Sequence, residues 1–183
     1  MVYFSFFDLR ESLLSLKEVL NFYDAQGRFR FQAKNQSYGY AHYSLRNAAG
    51  EEAGVIKRNP RGGVIYQWDN GVVGPAIVTK LGRDFYDIYR NGKLFTSVCL
   101  NPDMKSFVKS PLLLERIDWK IRRDWLLRTH EIINGRSECI ARTSRSISDY
   151  VGGEKIEIAD YADPVIVLSL LIAAESLFIY GCR

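Results

Sequence analysis

The run Asp163-Pro164-Val165-Ile166-Val167-Leu168-Ser169-Leu170-Leu171-Ile172-Ala173-Ala174-Glu175-Ser176-Leu177-Phe178-Ile179-Tyr180-Gly181 decides how this chain folds. Asp163 is placed to cap a helix, because its carboxylate can accept backbone N–H groups that a first turn leaves without partners. Pro164 follows at a helical position where a missing N–H costs nothing, and Gly181 stands where a helix stops. The signals predict a helix over about 164–180. Its residues are apolar on every face, so it is either a membrane span or a core element enclosed on all sides. A span needs about 20 mainly apolar residues, whereas this run has about 17, includes Glu175 and carries no basic cluster at either end. The expectation is a buried helix, structurally capped by Asp163, and no integral membrane span.

The upstream sequence supplies what could enclose it. One pattern recurs: an alternating apolar run, a bend with Asn or Asp near Gly, and a second alternating run. It covers residues 20–32 (bend Asp24-Ala25-Gln26-Gly27), 43–57 (Asn47-Ala48-Ala49-Gly50), 64–80 (near Asp69-Asn70-Gly71), 85–100 (Asn91-Gly92) and 119–142 (Asn134-Gly135). Alternation puts Phe29 and Phe31 on one strand face and Arg28 and Arg30 on the other. Bends of this composition tolerate the positive φ that hairpins need. A unit of about 20 to 25 residues reads as a degenerate hairpin repeat. So many strands in one small chain curl into a barrel or a sandwich. A helix threaded through a closed sheet accounts for both the hairpins and the absent polar face. Less regular are residues 59–63, read as a turn, 101–111, read as a long connection, and 9–19, which fit a short helix or an irregular first strand.

Composition agrees with this reading. The chain has 183 residues, 47% hydrophobic and 25% charged, with 11 Tyr, 10 Phe and 14 Gly. That suits one domain over 1–183 and excludes a disordered chain or a fibre. The net charge of +4 is too small to drive nucleic-acid binding, and a nucleic-acid partner is not expected. The charge is unevenly placed: residues 28–61 hold seven basic and two acidic side chains, and residues 149–183 hold two and six. Cys99, Cys139 and Cys182 are scattered and odd in number, which points to a reducing compartment. Residues 1–9 lack the basic start of a signal peptide. The expected location is cytoplasmic, with peripheral membrane contact.

The hairpins, then Ile156-Glu157-Ile158-Ala159-Asp160, then Asp163 and the apolar helix, occur in an order that resembles the LURP-one-related family. That family is part of the tubby-like superfamily, which also includes the phospholipid scramblases. Residues 14–27 look like its opening hairpin, and the resemblance extends over residues 14–178. It implies a mainly β fold: a closed antiparallel barrel of about twelve strands around a buried hydrophobic C-terminal helix. Asn47 stands where an Asp is common, residues 101–111 have no clear counterpart, and the Pro- and Cys-rich leader of animal scramblases is absent. Lipid scrambling is therefore not implied. Tubby proteins bind phosphoinositides through basic residues on the barrel exterior, and none of those positions is carried over to this chain.

Chemistry-bearing motifs are few. His42 and His130 have no neighbouring ligand, so no metal or cofactor is expected. There is no G-x-S-x-G elbow and no P-loop, so no catalytic residue is assigned. Small-molecule pockets in barrels lie in the interior or its mouth, and a helix there removes that volume. The expectation is a binding or scaffold protein rather than an enzyme. Basic residues beside aromatic ones suit an anionic membrane surface. On that ground Lys57, Arg58 and Arg61, and Lys120 and Arg122 near Trp119 and Trp125, are candidate contacts for anionic phospholipid head groups. Alternation puts Arg123 on the face opposite Lys120 and Arg122. The alternative is a protein partner held on an outer sheet face.

Overall fold

The structure is a computed structural model and describes residues 2–7, 19–37, 42–61, 83–101, 112–124, 129–145 and 153–180. Among the described residues twelve strands precede one long helix. They are β1 (Val2–Phe7), β2 (Val19–Asp24), β3 (Phe29–Asn35), β4 (His42–Asn47), β5 (Glu52–Arg61), β6 (Arg83–Arg90), β7 (Lys93–Leu100), β8 (Leu112–Glu115), β9 (Lys120–Asp124), β10 (Thr129–Ile133), β11 (Cys139–Arg145) and β12 (Gly153–Ile158). The helix, α1, is Pro164–Tyr180. All strands join one antiparallel ladder in the order β8-β7-β6-β5-β4-β3-β2-β1-β12-β11-β10-β9. Consecutive strands therefore pair, except β8 with β9, and the pairing of β1 with β12 joins strands far apart in sequence.

Three hairpins share one turn, and the reason lies in the residue that opens it. Asp24 Oδ1 accepts the N–H groups of Gln26 and Arg28, both at 3.0 Å. Asn47 Oδ1 does the same for Ala49 and Glu51 at 3.0 Å. Asn134 Oδ1 does so for Arg136 at 3.0 Å and Glu138 at 2.9 Å. An Asp or Asn side chain can accept from the backbone two residues ahead and so sets the bend. The fourth residue of each turn then takes positive φ: Gly27 at 74°, Gly50 at 82° and Ser137 at 65°. The rest of the opening side chain reaches the residue four ahead, with matched chemistry. Asp24 Oδ2 accepts from Arg28 Nε at 2.8 Å, whereas Asn47 Nδ2 and Asn134 Nδ2 donate to Glu51 and Glu138 at 2.8 and 2.6 Å. Asn47 therefore does the work of an Asp because its partner changes sign with it. The loop at Asn91 and Gly92 has φ of 51° and 71°, as a two-residue hairpin requires.

Alternation turns Leu20 and Phe22, Ala33, Tyr43 and Leu45, Ile56, Tyr86 and Ile88, Ile121, Ile132, and Ile156 and Ile158 onto one buried face. That face packs on α1, whose residues 165–174 are all buried. Strands β5, β6 and β7 contact the helix, and Arg123 of β9 and His130 of β10 meet Glu175 near its far end. Along the ladder, β5 and β9 are eight strands apart. A flat sheet would separate them by nearly 40 Å at about 4.8 Å per strand, so the sheet must curl round the helix to touch it from both. Gly54 lets the backbone come close: a Cβ there would stand 2.9 Å from Val165 Cγ1 and 3.3 Å from the Tyr89 carbonyl oxygen.

Several expectations need correction. The ladder is not closed, because the described residues of β8 and β9, its two ends, form no pairing. β8 has only four residues, and the chain turns away from it at Arg116, where φ is 69°. Residues 59–61 continue β5 rather than turning. Pro60 is tolerated there because β5 pairs with β4 only as far as Lys57, so Pro60 meets a ladder on the β6 side alone. Val2–Phe7 is a strand that the sequence pattern did not single out. The segment 119–142 holds three strands, not two. The expected hairpin at 64–80, and the expectations for residues 9–18 and 102–111, lie outside the described residues.

Candidate functional site

With one face of the sheet committed to the core, the alternate residues of β3, β4 and β5 point outward: Arg30, Gln32 and Lys34, then His42, Ser44 and Arg46, then Val55 and Lys57. Register places Lys34 opposite Ser44, and His42 opposite Lys57. Lys34, Arg46 and Lys57 are exposed, and no carboxylate among the described residues forms an ion pair with them. The carboxylates nearby are engaged elsewhere. Glu52 Oε2 accepts from Ser44 Oγ at 2.8 Å, and Asp24 holds Arg28 at 2.8 Å and Arg30 at 3.5 Å. His42 is half-buried, and its backbone N–H is fixed by Asn35 Oδ1 at 3.1 Å. Burial, then the Lys57 charge, holds its imidazole below the ordinary value, with Glu52 acting weakly the other way.

The residues singled out in the sequence fare differently. Lys57 belongs to this outward cationic face. Arg58 shares the parity of Gly54 and Ile56, and its guanidinium forks onto Asp84 at 2.9 and 2.8 Å. Arg61 faces outward but ties strands together. It donates to Glu115 at 2.7 Å and to Asp87 and Ser97 at 2.8 Å each, and it lies 4.2 Å over the Phe85 ring. Its hydrogen bond to Glu115 is the main reason that its charge is held even more firmly than usual. Asn59 and Ser97 also donate to Asp87, both at 2.6 Å, and the Asp87 side chain is only 4% exposed.

Lys120 and Arg122 are exposed on β9. Arg122 lies 3.7 Å from Glu131, which Arg142 also approaches at 3.5 Å. Register extends this into a row of alternating sign, Arg122, Glu131, Arg142 and Glu157, across β9 to β12. That row carries no excess charge. β5 and β9 are not neighbours in the ladder, and among the described residues no hydrogen bond or ion pair links the two groups of candidates.

Asp163 Oδ1 accepts the Val165 N–H at 2.8 Å, while Oδ2 accepts Arg90 Nε at 2.8 Å. Arg90 also donates to the Ala53 carbonyl at 2.8 Å, so the cap fastens α1 to β5 and β6. Inside, His130 is 3% exposed and stands opposite Arg123, and both face Glu175, at 3.6 and 3.7 Å. Among the described residues no three potential metal ligands cluster. An open depression of about 200 Å³ lies where β5 meets the β6–β7 turn, lined by Glu52, Ala53, Gly54, Val55, Tyr89, Asn91 and Gly92. Glu52 is its one ionisable side chain of strong acidity, so it offers no paired acid and base.

Sequence reasoning missed Lys34, Arg46 and His42. The excess of basic residues in 28–61 contained the two cations, but grouping by nearness in sequence joined Lys57 to Arg58, which faces the other way. Cross-strand register is what joins residues 34, 42 and 57.

No helix among the described residues is long and apolar enough to cross a membrane. No curated protein sequence matches the chain. Among solved structures, an X-ray structure of an Arabidopsis thaliana protein is similar, with a TM-score of 0.61 at 12% identity, covering 97% of this chain and 91% of that one. At that identity the likeness concerns the fold alone. The model of the LURP-one-related family matches residues 6–175, the span that holds the shared hairpin turns, the ladder and most of the buried helix. The chain belongs to the LURP-one-related family.

Proposed function

We propose that this protein is a non-enzymatic binding protein that docks peripherally on anionic phospholipid through the outer face of β3, β4 and β5. The observation that carries this reading is that Lys34, Arg46 and Lys57 share one exposed face without ion-pair partners among the described residues. Each basic group near an anionic bilayer adds about 1 kcal/mol, so three give weak, reversible attachment. Such attachment is screened by salt, since the Debye length is about 8 Å at physiological ionic strength. The interior, where a barrel would hold a small-molecule substrate, is occupied by α1, which turns attention to the outside.

Flotation with vesicles of phosphatidylcholine, with and without phosphatidylglycerol, tests the reading. The protein is expected to float with the anionic vesicles at low salt and to be released at high salt. No flotation at low salt removes the lipid reading and leaves a protein partner on this outer face.

A further inference from the structure

We propose that Lys34, His42 and Lys57 form an oxyanion site, for the phosphate of a head group or a soluble phosphate-type anion, that is switched on when His42 takes up a proton. The proposal rests on the outer-face reading above and specifies its ligand and its control.

The geometry follows from register. His42 stands directly opposite Lys57, and Lys34 stands opposite Ser44, two residues along from His42 on the same face. Opposed residues have Cβ atoms about 5 Å apart and diagonal ones about 7 to 8 Å, which long lysine side chains bridge easily. Three nitrogen donors can therefore converge on one tetrahedral anion from three adjacent strands.

The groups around His42 define its titration. On the β3 side Gln36 is its neighbour, donating its N–H to the His42 carbonyl at 2.6 Å, and Lys34 lies diagonally, opposite Ser44. On the β5 side Lys57 stands opposite, and the Glu52 charge also acts on it. On its own strand are Ser44 and Arg46. Beyond Lys57, on β6, is Asp87. The two carboxylates are occupied, Glu52 by Ser44 and Asp87 by Arg61, Asn59 and Ser97. Neither forms an ion pair with Lys34 or Lys57, although the Glu52 charge partly offsets that of Lys57 at His42. Without an anion, burial and Lys57 favour neutral imidazole. An oxyanion between the lysines reverses the second effect and gains a third charged donor. By linkage, an anion that binds the protonated form more tightly raises the pKa of His42 by the same factor.

The test uses the whole chain and two probes whose charge is constant across about pH 5 to 8, the range in which histidine titrates. The first is inorganic sulfate, compared with chloride at matched ionic strength, with the His42 imidazole followed by NMR. Its pKa is expected to rise by about one unit in sulfate, equivalent to about tenfold tighter sulfate binding to the protonated protein. His42→Gln should abolish the pH dependence of sulfate binding, and Lys34→Ala with Lys57→Ala should abolish the pKa shift. The second probe is phosphatidylglycerol vesicles. Binding that strengthens with acid in both arms supports a lipid head group as the source of the anion. A sulfate effect without vesicle binding supports the site and a soluble ligand, and removes the lipid reading alone. If sulfate leaves the His42 pKa in place, or if His42→Gln keeps the wild-type pH dependence, the proposal is overturned, whatever the vesicles do.

Discussion

Gly54 and Val165 lie so close that any side chain at position 54 would place its Cβ 2.9 Å from Val165 Cγ1. Val165 is in the first turn of α1 and is 3% exposed, so it has no open space into which to retreat. The Tyr89 carbonyl closes the other side at 3.3 Å. Gly54→Ala should therefore act as overpacking and cost about 1 to 3 kcal/mol, read as a lower urea midpoint with an unchanged slope. A neutral Gly54→Ala would mean that the sheet does not press on the helix here.

Ser137 occupies the turn position held by Gly27 and Gly50 in the equivalent hairpins, at φ of 65°. A side chain there costs about 1 to 2 kcal/mol, less what glycine loses in unfolded-state entropy. Ser137→Gly should stabilise the protein by about 1 kcal/mol in thermal or urea unfolding.

Arg61 and Lys57 face the same way, yet their variants should behave oppositely. Arg61→Met removes donors from Asp87, whose side chain is 4% exposed, while leaving Asn59 and Ser97 in place. The expected loss is about 1 to 3 kcal/mol of stability with vesicle binding largely kept. Lys57→Ala should weaken vesicle binding and leave stability within about 0.5 kcal/mol. Paired urea titrations and flotation assays distinguish the two outcomes.

Asp24 should contribute to stability in a pH-dependent way. Burial works to raise its pKa, but the Arg28 N–H, the Arg28 guanidinium and the Gln26 N–H together hold the carboxyl below its ordinary value of 3.8. A depressed folded pKa gives stability that is fully present above the unfolded value and is lost as pH falls through the folded one. Asp24→Asn keeps an acceptor for both N–H groups and removes the titration. Between about pH 5 and pH 3 the wild type should lose more stability than Asp24→Asn, measured by urea midpoints. Parallel losses would refute the assignment.

The sequence made much of this legible where the signal is local. Asp163, Pro164 and the all-round apolar run specify a capped, enclosed helix, and the Asp24, Asn47 and Asn91 bends specify hairpins. What required structure depended on partners far away in the chain. That Ser137, rather than Gly135, takes the positive φ depends on how the turn at Asn134 closes. That Pro60 continues a strand depends on β4 ending its pairing at Lys57. Arg58 and Lys57 are neighbours in sequence and point to opposite faces, so the cationic surface emerges only when β3 and β4 are set beside β5. The open end of the ladder at β8 is equally invisible in the sequence, because strand number does not reveal whether the last two strands hydrogen-bond to each other.

Hydrogen exchange along α1 tests most directly whether the helix is the enclosed core that leaves binding to the outer face. Amides of residues 167–174 should exchange only through global unfolding, with protection that falls in proportion to added denaturant along with that of the central strands. Fast exchange of these amides by a route insensitive to denaturant would show a helix that undocks on its own, and would contradict the account.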